Sequence, residues 1–172
     1  TLFGASFIAL SPDHSLTIEL AANNSELAAF RKECAKVGTS EADIEKRVAE
    51  LAAQISSEYA DAGELVLIGV LKGAFVFLAD LTRAISVSHE VDFMAVSSYD
   101  GGTQSTGVVK IEKDLKANIT DRDVILVEDI IDTGLTIAHL EELLGTRNPR
   151  SIRVAALLDK KPARKKDVDL HY

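Results

Sequence analysis

The chain has 172 residues, 47% of them hydrophobic and 27% charged, with a formal net charge of -8. That length and composition suit one ordinary globular domain with a buried core. The negative balance argues against a polyanion such as nucleic acid as partner. A single cysteine, Cys34, supplies neither a disulfide framework nor a Cys-rich metal site, so a reducing cytoplasm is the expected compartment. The longest apolar runs, such as residues 65–71, are far too short to cross a bilayer, so no membrane partner is expected. No charged-then-apolar leader opens the chain, so secretion is not expected, and a start at Thr1 rather than Met suggests a fragment or a processed start.

Leu2, Phe3, Ala5, Phe7 and Ala9 read as a strand, broken by Ser11 and Pro12. A helix is predicted over residues 25–37, where Leu27, Phe30, Cys34 and Val37 recur at helical steps before Gly38. A second helix starts at Ser40, with Asp43 in the capping-box position and Glu41 at the positive end of the dipole. Its apolar stripe is Ile44, Val48, Leu51, Ile55 and Tyr59, and Asp61 and Gly63 end it. Residues 65–70 read as a buried strand. Lys72 and Gly73 turn the chain into a helix over 74–85, and residues 91–97 form the next strand. Residues 100–107 hold Gly101, Gly102 and Gly107 and no apolar side chain, so a mobile loop is expected. A strand over 124–127 follows, and Gly134 precedes a helix carrying Ile137, Leu140, Leu143 and Leu144, closed by Gly145 and Pro149. Residues 152–158 are the last strand, followed by the basic run Lys160, Lys161, Arg164, Lys165 and Lys166, which reads as a solvated loop able to attract an anionic ligand. Strands alternating with helices imply an α/β fold, a parallel sheet of four or five strands flanked by helices. Ligands of such sheets sit beyond the carboxyl ends of the strands.

The most informative stretch there runs Val127-Glu128-Asp129-Ile130-Ile131-Asp132-Thr133-Gly134-Leu135-Thr136. Two adjacent acids follow a strand, a third opens a short loop, and a helix begins. Backbone N–H groups at that helix start, with the Thr133 and Thr136 hydroxyls, make a phosphate cradle. Glu128 and Asp129 suit a sugar diol, because carboxylates accept hydroxyl hydrogen bonds, and they suit a Mg²⁺ ion bound to that diol. The plainer alternative is an acidic helix N-terminus on an ordinary strand end. The four histidines, His14, His89, His139 and His171, are dispersed without metal-ligand spacing and read as surface or packing residues.

That stretch resembles the phosphoribosyl-pyrophosphate signature of type I phosphoribosyltransferases. Leu71-Lys72-Gly73 resembles the pyrophosphate loop of the hypoxanthine-guanine branch. Ser97-Ser98-Tyr99, running on to Gln104-Ser105-Thr106-Gly107, resembles that branch's flexible catalytic loop, and Leu157-Leu158-Asp159-Lys160-Lys161 resembles the segment with its purine-reading lysine. The four motifs occur in family order, over residues 44–172. The resemblance implies the type I phosphoribosyltransferase fold and a Mg²⁺-dependent transfer of 5-phosphoribosyl onto N9 of hypoxanthine or guanine. It implies phosphoribosyl pyrophosphate and a purine base as ligands, and a homo-oligomer. Lys72 and Gly73 then bind pyrophosphate, with the Leu71–Lys72 bond often cis in the family. Asp132 is the general base for the purine N7 proton. Thr133, Gly134 and Thr136 take the 5′-phosphate, and Lys160 donates to the 6-oxo group. Ser98 and Tyr99 belong to a loop that closes to keep water from an oxocarbenium-like state. Taken without the resemblance, Leu71-Lys72-Gly73 is an ordinary strand–helix turn, Lys160 a solvated lysine and the glycine-rich loop a plain connection.

Two stretches depart from the family. Beyond a segment like residues 167–172, the family continues into a purine-stacking aromatic, a magnesium-binding acid and an arginine near pyrophosphate, and none of these is present here. Without the stacked aromatic, purine binding is expected to weaken by roughly ten- to a hundredfold. Residues 1–43 form an N-terminal segment with no family counterpart. Thr1-Leu2-Phe3-Gly4-Ala5, Asp13-His14, Leu27-Ala28-Ala29-Phe30, Glu33-Cys34 and Ser40-Glu41-Ala42 resemble a piece of the editing insertion of leucyl-tRNA synthetase. Two other readings compete: a regulatory module that binds phosphoribosyl pyrophosphate without catalysis, and an editing or structural fragment dominated by residues 1–45.

Overall fold

Helix α1 (Glu41–Glu58) starts where the sequence supplies its cap. Ser40 is extended, its hydroxyl accepts from the Asp43 N–H at 3.2 Å, and the Asp43 carboxylate accepts from the Ser40 N–H at 2.9 Å. This reciprocal pair satisfies two of the N-terminal N–H groups that a helix leaves without partners. The expected stripe is buried: Ile44, Val48, Leu51 and Ile55 on the helix, and Tyr59 at its end. This computed structural model describes residues 38–61, 63–98 and 109–172. The strand and helix expected before residue 38, and the loop expected at 100–107, lie outside the described residues.

From residue 65 the strand–helix alternation holds: β1 (Leu65–Leu71), α2 (Phe75–Ala84), β2 (His89–Ser98), β3 (Val109–Lys113), β4 (Asp123–Ile131), α3 (Leu135–Gly145) and β5 (Ser151–Asp159). The sheet order is β3-β2-β1-β4-β5. β1 pairs parallel with β2 and with β4, and β4 pairs parallel with β5. β3 departs from the wholly parallel sheet expected from the sequence, because it runs antiparallel to β2. Its residues, Val109-Lys110-Ile111-Glu112-Lys113, alternate apolar and charged as an edge strand does.

The core follows the pleat. Leu65 and Leu67 of β1 and Ile125 and Val127 of β4 face one side, where they meet α1 and the α2 residues Phe77, Leu78 and Leu81. Val66, Ile68 and Val70, with Val124 and Leu126, face the other side and meet Leu140 and Leu144 of α3. Both faces of the central strands are therefore covered, as continuous apolar runs require. The chain leaves β1 toward β2 on one side and returns as β4 on the other, so the carboxyl ends of β1 and β4 flank a topological switch point.

β4 is longer than the expected 124–127. Glu128 aligns with Ala156, Ile130 with Leu158 and Ile131 with Asp159 of β5. Glu128 and Asp129 are thus strand residues rather than loop residues, held by the β4–β5 ladder. After β5 a short 3₁₀ turn (Lys161–Ala163) leads into a segment that returns along β5. There Tyr172 donates to Val154 at 3.1 Å and accepts from Ala156 at 2.9 Å. The Tyr172 hydroxyl donates to Glu58 at 2.5 Å, and Arg153 contacts both, tying this segment to the end of α1. No helix among the described residues is long and apolar enough to cross a membrane.

Candidate active site

The turn from β4 to α3 gathers the predicted phosphate residues at the switch point. A cavity of about 280 Å³ is lined by Glu128, Asp132, Thr133, Gly134 and Thr136, with Ile130, Ile131 and Ile137 as its apolar wall. Gly134 sits at φ 79 as the N-cap of α3, a left-handed conformation that glycine adopts without steric cost. The Thr133 hydroxyl oxygen accepts from the Leu135 N–H at 3.4 Å, shaping the turn. The next first-turn N–H groups have no intrahelical acceptor, and the helix dipole makes this end favourable to an anion.

The acidic pair divides its work. Asp129 lies over the β1–α2 turn: a Cβ built on Gly73 would come 2.6 Å from Asp129 Oδ1 and 2.8 Å from Oδ2. Only a glycine lets this backbone approach the Asp129 carboxylate so closely. The Lys72–Gly73 turn and the acidic pair therefore meet at one end of the sheet. The Leu71–Lys72 peptide bond is cis, and the Lys72 side chain is exposed. Glu128 lines the cavity, and its Oε2 is buried without a hydrogen-bond partner. Burial, and then the neighbouring Asp129 charge, push the Glu128 carboxyl well above the ordinary carboxylate range.

Glu128 and Asp129 are hard oxygen donors of the kind Mg²⁺ takes. Among the described residues no three acidic, His or Cys side chains gather into a protein cage. A pair of carboxylates suits Mg²⁺, which keeps waters and substrate oxygens and accepts one or two carboxylates. The unpartnered Glu128 Oε2 is the atom that a cation or a sugar hydroxyl would satisfy.

Asp132 and Lys160, which the sequence separates by a helix and a strand, come together. Lys160 Nζ lies 3.8 Å from Asp132 Oδ1, with side chains 44% and 54% exposed. The Lys160 N–H donates to the Ile131 carbonyl at 2.9 Å, which fixes the lysine beside the β4–α3 turn. Both groups thus remain accessible to a ligand. Ser98 ends β2, with its side chain outside the described residues, as is the whole of Tyr99.

The basic run is not the uniformly solvated loop expected. Arg164 is only 13% exposed and ion-paired with Asp159. Its stem packs against Gly134, where an added Cβ would sit 3.1 Å from Arg164 Cδ. The sequence did hold a weak signal, an acid and an arginine flanking a Pro162 turn, but charge density hid it.

A model of the phosphoribosyl transferase domain matches residues 39–172. A model of the leucyl-tRNA synthetase editing domain matches residues 1–56 and overlaps the first over 39–56. The hypoxanthine phosphoribosyltransferase of Salmonella typhimurium is 48% identical over 142 residues, which are 82% of this chain and 80% of the relative. A crystal structure of the Staphylococcus aureus hypoxanthine phosphoribosyltransferase superposes with a TM-score of 0.73 at 44% identity, covering 77% of this chain and 72% of that one. The Trypanosoma cruzi hypoxanthine phosphoribosyltransferase in complex with the product IMP superposes with a TM-score of 0.70 at 38% identity, covering 75% of this chain and 73% of that one. By sequence and by fold, the chain belongs to the phosphoribosyltransferase family of enzymes, in its hypoxanthine-guanine branch.

Proposed function

We infer that this chain transfers a 5-phosphoribosyl group from its pyrophosphate to N9 of hypoxanthine or guanine, giving IMP or GMP and pyrophosphate in purine salvage. The observation that carries this reading is the meeting of Asp129 with Gly73, beside the Asp132–Lys160 pair and the Thr133–Thr136 turn. Three motifs distant in sequence thereby share one end of the sheet. The relatives named above are all transferases, which leaves the non-catalytic regulatory alternative without support.

Each group then has a task. Thr133, Gly134 and Thr136 hold the 5′-phosphate, and Glu128 and Asp129 accept the ribose hydroxyls. Lys72 and Gly73 hold the pyrophosphate, which leaves as N9 bonds to the anomeric carbon. Asp132 takes the proton from N7. Lys160 donates to the 6-oxo group and so disfavours adenine, whose amino group offers no acceptor there. Ser98 and Tyr99 belong to the segment that excludes water from the cationic sugar. Glu128 and Asp129 are the residues that would hold Mg²⁺, whose charge offsets that of the departing pyrophosphate. The same reading carries a cytoplasmic location, a homo-oligomer, and a boundary near residue 43 between the N-terminal segment and the transferase core.

The test is a spectrophotometric assay with hypoxanthine, phosphoribosyl pyrophosphate and Mg²⁺. Turnover on the order of 1–100 s⁻¹ is expected, abolished by a chelator and restored by added Mg²⁺. Cosubstrate binding without IMP formation would instead favour the regulatory reading.

A further inference from the structure

The segment after β5 wraps the β4–α3 turn. Lys160 donates to Ile131, and the Lys165 and Lys166 N–H groups both donate to the Thr133 carbonyl, at 2.9 and 3.0 Å. A trans peptide points its C=O and N–H in opposite directions. Fixing the Thr133 carbonyl toward residues 165–166 therefore turns the Gly134 N–H away from them. Gly134 is clamped as well: a Cβ there would meet the Lys166 carbonyl at 2.3 Å and Val168 Cγ2 at 3.1 Å. The clasp is closed by one side-chain pair. Arg164 Nη2 bonds back across the 3₁₀ turn to Asp159 Oδ1, with side chains 13% and 19% exposed. Arg164 does not line the cavity.

We propose that Arg164 and Asp159 are positioning residues for the phosphate cradle, holding the Thr133–Gly134 peptide with its N–H presented to the ligand's 5′-phosphate. The proposal rests on the reading of the Thr133–Thr136 turn as the phosphate site. The pair acts through the backbone of residues 165–166 and touches no ligand. Its loss leaves Thr133 and Gly134 in place chemically but lets their peptide rotate. Affinity for a phosphorylated ligand then falls, while affinity for the base and sugar is spared, because Lys160 keeps its own anchor on Ile131.

Calorimetric titration with guanosine 5′-monophosphate and with guanosine separates these contributions. Arg164→Met is expected to weaken the nucleotide about tenfold, the scale of one buried charge-assisted hydrogen bond, and to change guanosine by less than about twofold. Arg164→Lys should recover most of the affinity, since a single nitrogen makes the pair. Asp159→Asn should copy Arg164→Met, with the double variant no weaker than either single one, as for two residues acting as one unit. Should Arg164→Met fail to fold, Asp159→Asn and Arg164→Lys carry the same comparison. An unchanged nucleotide affinity, or equal losses for nucleotide and nucleoside, overturns the positioning role. If the unaltered chain binds nucleotide no better than nucleoside, the phosphate-site reading itself is what fails.

Discussion

Asp132 and Lys160 face each other across 3.8 Å, more than two-fifths exposed on each side. A pair so open is cheap to separate, as the proposed purine site between them requires. Replacing Asp132 with Asn keeps the shape and removes the base. Turnover should fall by roughly 10²–10⁴-fold with little change in cosubstrate KM, as read from steady-state kinetics. An unchanged turnover would take Asp132 out of the base role. Lys160→Ala should act mainly on the purine, raising its KM by about tenfold or more. The sequence motifs name these two residues, and the fold places them side by side. The burial of the Glu128 Oε2 was not legible, because the β4–β5 ladder that holds Glu128 pairs it with a strand beyond α3.

Turns decide whether these side chains meet. Gly73 is the tightest case: any side chain there collides with the Asp129 carboxylate. Gly73→Ala should therefore displace Asp129 and raise the cosubstrate KM by about tenfold, with only a small shift in melting temperature. A wild-type KM in this variant would show that the contact does not matter to binding. The capping box at Ser40, the stripe of α1 and the strand starts were all readable, since each is a local pattern. β3 escaped because a short charged edge strand follows a glycine-rich stretch that drew the reading toward loop. The end of β4 escaped because its pairing partner lies in β5, beyond α3. The clasp around Gly134 escaped for a similar reason, because its hydrogen bonds join Lys165 and Lys166 to Thr133 across α3 and β5 and leave no periodic trace.

A buried carboxylate ties β2 to the chain that follows β3. Asp92 on β2 accepts from the N–H groups of Phe93 at 2.7 Å, Lys116 at 2.7 Å and Ala117 at 2.9 Å, and pairs with Lys113. Burial pushes its carboxyl up, but the Ala117, Phe93 and Lys116 donors outweigh that and hold it below the ordinary value of 3.8. An acid depressed in the folded state stabilises fully above its unfolded pKa and loses that contribution as pH falls through the folded value. Melting temperature should therefore drop steeply below about pH 4. Asp92→Asn should cost about 1–3 kcal/mol near neutrality and flatten that acid limb. An acid limb as steep in the variant as in the unaltered chain would assign the loss to other carboxylates. Glu58, Arg153 and Tyr172 join the β5 edge of the sheet to the end of α1.

Whether the acid–loop–threonine turn grips a ribose phosphate is tested most directly by a crystal structure with inosine 5′-monophosphate bound. The expected density places the phosphate against the Thr133–Thr136 backbone, the ribose hydroxyls at Glu128 and Asp129, and the 6-oxo group within reach of Lys160 Nζ. A phosphate bound elsewhere, or a base turned away from Lys160, would contradict it.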